Sequence, residues 1–174
     1  MIICIMGVSC VGKTTLIKNI IKRYKFIKRY KPIEQYFTVK KYEKFLVIQR
    51  TRLTQNQKNE VIQILQKEVS NNKNIILDVD KVIDKDFLYW IIDNNHDLKI
   101  FHITASKTIT DYRAKKRGKF WDKHITENTK LRHREEMYNL LEDSKIKNYV
   151  IELPNTNEKE NKICQKNIST LLIQ

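Results

Sequence analysis

The chain has few of the residues that break or cross-link a backbone: three glycines, two prolines and three cysteines among 174 residues. Three cysteines cannot all pair, and Cys4, Cys10 and Cys164 show no metal-ligand spacing, so we expect a reducing, cytoplasmic location. No apolar run approaches the roughly 18 residues of a membrane span, so no membrane association is expected. The first residues lack the basic lead and cleavage site of a signal peptide.

Acidic residues are scarce at the amino end. Residues 1–52 contain 13 Lys and Arg but only Glu34 and Glu43, which gives a net charge of +11, against −2 for 53–104 and +5 for 105–174. The whole chain carries +14. Such a field concentrates polyanions, so a nucleotide, DNA or RNA is the expected partner. A composition rich in Lys, Asn, Ile and Tyr also explains the net charge, though less readily its clustering.

Short apolar runs alternate with helical spacings along the chain. The runs predict strands at 2–6, 44–49, 74–79, 98–103 and 147–153, with a weaker candidate at 25–30. Apolar residues three and four apart predict helices at 14–24, 56–69, 86–93, 107–117, 127–141 and 159–173. This order predicts an α/β fold, three-layer α/β/α with a parallel five-stranded sheet, formed by a single domain.

Two of the three glycines lie in the segment Gly7-Val8-Ser9-Cys10-Val11-Gly12-Lys13-Thr14, which fits G-x-x-x-x-G-K-[ST] between a predicted strand and a predicted helix. Glycines let the backbone curl so that successive N–H groups point at phosphate oxygens, and the helix N-terminus adds partial positive charge. Lys13 can span the β- and γ-phosphates, and the Thr14 hydroxyl can bind Mg²⁺. We therefore expect nucleotide binding by Gly7, Val8, Ser9, Cys10, Val11, Gly12, Lys13, Thr14 and Thr15.

Residues 6–15 (MGVSCVGKTT) resemble the Walker A loop of P-loop kinases, and more narrowly of the nucleoside and nucleotide (NMP) kinase-like proteins built on the adenylate kinase scaffold. The resemblance implies a P-loop NTPase fold with a small lid, use of ATP and Mg²⁺, and transfer of the γ-phosphoryl group. It implies one kinase domain over residues 1–174, with an acceptor-binding region at about 25–55 and a lid at about 113–134. Most of the chain follows the family's order of elements, but the match is sharp only at the loop.

Two carboxylates follow the apolar run of residues 74–80 (NIILDVD). Asp78 and Asp80 thus lie at the carboxyl end of a strand, where open α/β sheets bind ligands. The pattern resembles a Walker B strand, and LDVD is similar to the corresponding stretch of guanylate kinases. Asp78 is therefore a candidate Mg²⁺ ligand and catalytic residue, and Asp80 a candidate substrate-binding residue. Alternatively, one of the two caps the following helix.

A basic helix is predicted after the strand at 98–103. Arg113 and Arg117 are four residues apart and share a helix face, and guanidinium groups suit bidentate phosphate contacts. A similar helix precedes the lid of P-loop kinases, which makes Arg117 first, and Arg113 second, candidate catalytic cations. Gly118 is a candidate hinge. The alternative is a solvated basic face.

The acceptor side is less distinctive. Candidate substrate-binding residues are Arg29, Glu34, Arg50 and Arg52, in a region where cations alternate with aromatic rings, a mixture suited to a nucleotide or a nucleic-acid strand. The acceptor signature of guanylate kinases is not evident there. A partial similarity to gluconate kinases is confined to the MGVS loop and to residues 117–120 (RGKF).

Three functions follow from these patterns. A phosphate acceptor needs charge neutralisation and alignment but no strong base, which favours a kinase of a nucleoside monophosphate or nucleoside. The second hypothesis is a nucleic-acid kinase that phosphorylates a 5′-hydroxyl or a modified (hydroxymethyl) base in DNA. The third is a non-catalytic nucleotide-binding module. The oligomeric state stays open.

Overall fold

The structure, a computed structural model, describes residues 1–22, 24, 26–30, 38–42, 45–49, 55–71, 74–78, 85–94, 96–118 and 127–173. The strands in these residues are β1 Ile2–Met6, β2 Phe26–Tyr30, β3 Thr38–Tyr42, β4 Phe45–Gln49, β5 Asn74–Asp78, β6 Leu98–Thr104 and β7 Val150–Pro154. The helices are α1 Lys13–Ile21, α2 Gln55–Val69, α3 Lys85–Asp93, α4 Lys107–Arg117, α5 Glu127–Leu141 and α6 Glu158–Ile173.

All seven strands belong to one sheet, in the order β2-β3-β4-β5-β1-β6-β7. Five neighbouring strands of this sheet pair in parallel: β4, β5, β1, β6 and β7. This confirms the predicted fold class. On the β4 side, β3 and β2 extend the sheet with antiparallel pairing. The sequence pattern did not predict β3, because its sequence, TVKKY, lacks the apolar run that indicates a buried strand.

Helices cover both faces of the sheet around the central strand β1, all five residues of which are buried. Ile2, Cys4 and Met6 belong to a cluster with apolar residues of α2, α3 and α5. Ile3 and Ile5 belong to the opposite cluster, which α1 and α6 complete. Burial on both faces explains why this strand is uniformly apolar rather than alternating.

Several element ends differ from the predicted ones. Helix α1 ends at Ile21, and the last strand begins at Val150, because Lys147–Tyr149 forms a 3₁₀ turn before it. The predicted lid at 113–134 begins in α4 and ends in α5, while residues 119–126 lie outside the described part of the chain. None of the helices in the described ranges combines the length and hydropathy that crossing a bilayer requires.

Candidate active site

The loop between β1 and α1, residues 7–12, has a backbone that requires its glycines. Gly7 has φ 150°, and a Cβ atom there would lie 2.4 Å from the Ile103 carbonyl oxygen on β6. Gly12 precedes α1 in the left-handed region at φ 99°, and its carbonyl accepts a hydrogen bond from the Leu16 amide at 2.9 Å. Only glycine adopts these positions without strain. We call residues 7–14, which include the first turn of α1, the phosphate loop.

Lys13 lies folded against the phosphate loop. Its side chain is 4% exposed, and Nζ donates to the carbonyl oxygens of Gly7 at 2.6 Å and Val8 at 3.1 Å. Thr14 and Thr15, in the same first turn of α1, are exposed. An ammonium and two hydroxyls thus lie at a helix N-terminus, where an anion is favoured.

A cavity of about 510 Å³ opens over the phosphate loop. Residues from the loop and α1, from α4 and from the β7–α6 region line it: Ser9, Cys10, Gly12, Lys13, Thr14, Thr15, Lys18, Arg113, Arg117, Asn155 and Asn161. The cavity is therefore lined by six of the nine residues predicted for nucleotide binding and by both predicted arginines.

The two arginines of α4 reach the loop at different places. Arg117 is exposed, and its Nη2 lies 3.1 Å from the Ser9 hydroxyl oxygen, to which it donates. Arg113 is half-buried and donates from Nη1 to the carbonyl oxygens of Val11 at 3.0 Å and Cys10 at 3.5 Å. Its Nη2 donates to the Thr156 carbonyl at 3.4 Å. Arg117 thus lies at the open side of the loop, whereas Arg113 binds the loop's main chain.

Sequence reasoning missed the contribution of the β7–α6 region. Asn155 is 1% exposed. Its backbone N–H donates to the Thr104 carbonyl at 2.8 Å, and its side-chain Nδ2 donates to the Val11 carbonyl at 2.7 Å. Asn161 Nδ2 donates to Asn155 Oδ1 at 3.0 Å, and Gln165 Nε2 donates to Asn161 Oδ1 at 2.5 Å. The available signal was that Asn155 follows the carboxyl end of a parallel strand, the edge at which such sheets bind ligands.

Side-chain hydrogen bonds cap the start of α6, in the turn that leads to Asn161. Asn157 Oδ1 accepts from the Glu160 amide at 2.9 Å, and Glu160 Oε2 accepts from the Thr156 amide at 2.6 Å. This arrangement is a variant of the capping box, in which the glutamate accepts from the residue before the N-cap, and it satisfies amides at the helix N-terminus. The hydrogen bond from the Thr156 hydroxyl lowers the pKa of Glu160.

Asp78 is the last residue of β5, 5% exposed, and its Cα is opposite that of Ile5 on β1. Asp78 therefore lies at the carboxyl end of the strand next to β1, and the phosphate loop begins where β1 ends. Burial, and secondly the charge of Asp78, raise the pKa of the Cys4 thiol far above its usual range. A carboxylate at this place is a hard oxygen donor of the kind that Mg²⁺ prefers.

The oxygen donors beside the phosphate loop are of the chemical kind that Mg²⁺ binds. The described residues contain no group of three His, Cys, Asp or Glu side chains that could hold a metal ion. Mg²⁺ in phosphoryl-transfer sites takes one or two protein oxygens and completes its shell with phosphates and water. The Thr14 hydroxyl and the Asp78 carboxylate are two protein oxygens of this type.

His102, on β6, is a buried neighbour of the site. It is 5% exposed and lies level with Met6 of β1 and Glu152 of β7. Burial lowers its pKa and Lys13 adds to the effect, while Glu152 opposes it. The ring packs edge-to-face with Tyr138 of α5, with centroids 5.7 Å apart. A neutral imidazole in these surroundings belongs to the packing between β6 and α5.

The predicted acceptor residues are mostly outside the described part of the chain. Arg29 lies on β2, and the structure gives its backbone position alone. Glu34, Arg50, Arg52 and Asp80 fall in stretches that the structure does not describe. Their roles stay predictions.

No family model and no curated protein matches the sequence. Solved structures match it by fold. The YorR protein of Bacillus subtilis, in complex with phosphorylated GDP, is 16% identical, with 98% of this chain and 95% of that one covered and a TM-score of 0.56. A deoxyadenosine kinase of M. mycoides with bound dATP is 18% identical over all of both chains, with a TM-score of 0.53.

A gluconokinase of Sinorhizobium meliloti is 12% identical, with 98% of this chain and 94% of that one covered and a TM-score of 0.51. The match in structure over nearly the whole of each chain shows that this chain has a P-loop kinase-like fold, and at such low identities it shows the fold alone. The predicted likeness to guanylate kinases is not shown by these structures and stays a prediction.

Proposed function

We propose that the chain is an ATP- and Mg²⁺-dependent kinase that transfers the γ-phosphoryl group to a nucleoside monophosphate or a nucleoside. The observation that carries the proposal is the convergence of Lys13, the glycine-bounded loop and Arg117 on one cavity. One domain over residues 1–174 carries the activity, with the acceptor at about 25–55 and a lid at about 113–134. Two proteins of the same fold were solved with nucleotides, dATP and phosphorylated GDP, which supports a nucleotide as substrate class.

The proposed chemistry is in-line transfer. A bond forms between the acceptor oxygen and the γ-phosphorus, while the bond from that phosphorus to the β,γ-bridging oxygen breaks and ADP leaves. Main-chain N–H groups of the phosphate loop bind the β-phosphate. Lys13 Nζ exchanges the Gly7 and Val8 carbonyls for phosphate oxygens, and Arg117 neutralises charge on the transferred group.

Mg²⁺ would be held by Thr14 and Asp78, and it supplies neutralisation of the phosphate charge when bound. A monophosphate acceptor brings its own nucleophilic oxygen and needs no side-chain base, in keeping with the acceptor class proposed. A nucleoside acceptor would require one of the acidic residues Glu34, Asp78 or Asp80 as base.

Transfer of label from γ-labelled ATP to nucleosides, monophosphates, oligonucleotides and sugar acids tests the proposal. We expect labelled nucleotide, and a loss of roughly 10²-fold or more in rate for Lys13→Met. Lys22→Met, which removes an exposed lysine just past the end of α1, is the matched control. Equal rates for Lys13→Met and Lys22→Met would refute the proposal, and ATP binding without transfer to any acceptor would favour a non-catalytic module.

A nucleic-acid acceptor is the second candidate, and the strand register favours it. In the β2–β3 pair the Cα atoms of Lys28 and Lys41 are opposite each other, and so are those of Arg29 and Lys40. Strands β2, β3 and β4 contain no Asp or Glu. Like charges opposite one another destabilise a sheet, and a bound polyanion would relieve the repulsion. Label on a 5′-hydroxyl oligonucleotide, with none on free nucleotides, would select this candidate.

A further inference from the structure

The carbonyl side of the phosphate loop is held by groups that the proposed transfer does not use. Gln165, Asn161 and Asn155 form a one-directional series of hydrogen bonds that ends on the Val11 carbonyl; we call them the amide chain. Gln165 donates, and Asn161 and Asn155 each accept through the side-chain oxygen and donate through the nitrogen, so each amide fixes the orientation of the next. The series connects the third turn of α6 to the loop.

Arg113 binds the same side of the loop. Its guanidinium donates to the carbonyls of Cys10, Val11 and Thr156, which engages both terminal nitrogens. The Val11 carbonyl thus accepts from Asn155 and from Arg113. Two donors on one buried carbonyl satisfy both of its lone pairs and leave its direction little freedom.

Fixing a carbonyl also fixes an amide. In a trans peptide unit, the C=O of one residue and the N–H of the next point in opposite directions. The bonds to the Val11 carbonyl therefore set the direction of the Gly12 N–H, and the bond to the Cys10 carbonyl sets that of the Val11 N–H. A loop of this type binds phosphate through such N–H groups, so their directions before binding determine how much rearrangement an anion must induce.

We infer that Asn155 is a positioning residue, which sets the phosphate loop in its anion-receiving conformation through the Val11 carbonyl and is locked by Asn161 and Gln165. The inference rests on the proposed function, because it requires that the loop bind phosphates. Gly12 fits the same account: a Cβ atom there would lie 2.6 Å from Asn155 Nδ2, so the glycine leaves room for the amide. Arg113 accordingly acts on the loop's main chain, in contrast to Arg117.

The test measures binding of inorganic tripolyphosphate, which carries three phosphates and no base, by isothermal titration calorimetry. Asn155→Ala removes the donor to Val11 and is expected to weaken tripolyphosphate binding roughly tenfold, as expected for the loss of a buried hydrogen bond. Asn167→Ala, which removes an exposed asparagine of α6, is the matched control and keeps the original affinity. Transfer kinetics add a second readout: Asn155→Ala and Arg113→Lys raise the KM for ATP more than they lower kcat, whereas Arg117→Ala mainly lowers kcat.

Gln165→Ala separates positioning from direct contact, because Gln165 is not among the residues that line the cavity. We expect about a twofold loss of tripolyphosphate affinity in the original chain and no further loss in the Asn155→Ala background, since coupled residues are non-additive. Gln165 is only half-buried, so Gln165→Ala can still test the inference if Asn155→Ala fails to fold.

The outcomes separate the two claims. Tripolyphosphate affinities unchanged in Asn155→Ala and Gln165→Ala, at a temperature where circular dichroism shows both to be folded, would overturn the inference and leave the proposed function standing. A drop in melting temperature with unchanged affinity would also overturn it, because Asn155 would then only stabilise the fold. Failure of the unaltered chain to bind tripolyphosphate would overturn the proposed function and this inference together.

Discussion

Cysteine environments differ sharply along the chain, and Cys10 is the accessible one. Cys4 and Cys164 are buried, and burial raises the pKa of both thiols. Cys10 is half-buried, has φ 67° and lines the cavity above the phosphate loop. A thiol on that wall shares its space with any bound triphosphate.

We therefore predict that one thiol per folded chain reacts with a chromogenic disulfide reagent, and that saturating MgATP slows the reaction. Cys10→Ser should abolish the fast-reacting thiol, because thiolate character and access govern reactivity. The measurement is the absorbance of the released reagent over time, with and without MgATP. Reaction at an undiminished rate with MgATP bound would place the nucleotide elsewhere.

We expect His102 to make the free energy of unfolding depend on pH in the mildly acidic range. Its folded-state pKa is lowered from the ordinary 6.5 mainly by burial. As pH falls, the unfolded chain takes up the proton first, so the free energy of unfolding decreases as pH drops from about 7 through 6.5 towards the folded pKa. Burial also lowers the pKa of His96, which acts in the same direction.

Urea unfolding at pH 7.5 and pH 5.5 measures this effect. We predict that the unaltered chain loses stability between these pH values and that His102→Gln loses less, because glutamine does not titrate. His96→Gln gives the separate contribution of the other histidine. An equal loss in His102→Gln and the unaltered chain would show that His102 does not remain neutral in the fold.

Among the elements, the strands that sequence predicts best are those buried on both faces. Residues 2–6 and 75–77 are continuously apolar because helices cover both sides of the sheet, and the ends of β1 and β5 were predicted to within one residue. Strand β3 escaped detection because Thr, Lys and Tyr surround Val39, so its pairing partners, rather than its own hydrophobicity, determine it. The 3₁₀ turn Lys147–Tyr149 runs directly into β7, and for that reason the sequence pattern placed the start of the strand three residues too early.

The candidate site divides in the same way. The phosphate loop could be predicted because its chemistry requires glycine, lysine and threonine at fixed spacing. The contribution of α4 to the site could be predicted because Arg113 and Arg117 are four residues apart and share a face of that helix. The amide chain could not, since amides leave no periodic pattern and Asn155 meets Val11 across 144 residues of sequence. Tertiary packing alone brings these residues together.

Two glycines at the ends of elements allow a comparison between crowding and backbone strain. Gly7 lies against the Ile103 carbonyl, whereas an added Cβ at Gly118, which ends α4 at φ 62°, would have no atom of the described residues within 4 Å. We predict that Gly118→Ala lowers the free energy of unfolding by about 1 kcal/mol, the strain of a left-handed alanine.

Gly7→Ala should lower the free energy of unfolding further and also abolish ATP binding, because the clash is with backbone of β6 that cannot rotate away. Thermal melts and ATP titrations of the two variants measure both effects. If Gly7→Ala bound ATP as the unaltered chain does, the loop would not require the observed approach to β6.

At the scale of the whole molecule, the excess of positive charge at the amino end affects any polyanion. Residues 1–52 carry +11 of the net +14. We predict that oligonucleotide binding falls steeply with salt, by roughly 10³-fold between 50 and 200 mM if six phosphates are contacted, while ATP affinity changes far less. Fluorescence anisotropy of a labelled oligonucleotide measures the slope, and a weak salt dependence would exclude the nucleic-acid candidate.

The proposed function requires that the phosphate loop bind the phosphate groups of a nucleotide. A crystal structure with a non-hydrolysable ATP analogue and Mg²⁺ tests it most directly. We predict that the β-phosphate lies within hydrogen-bond distance of main-chain N–H groups of residues 8–14, with Lys13 Nζ moved from the Gly7 and Val8 carbonyls to phosphate oxygens. A triphosphate bound away from the loop, with Lys13 Nζ still on those two carbonyls, would contradict it.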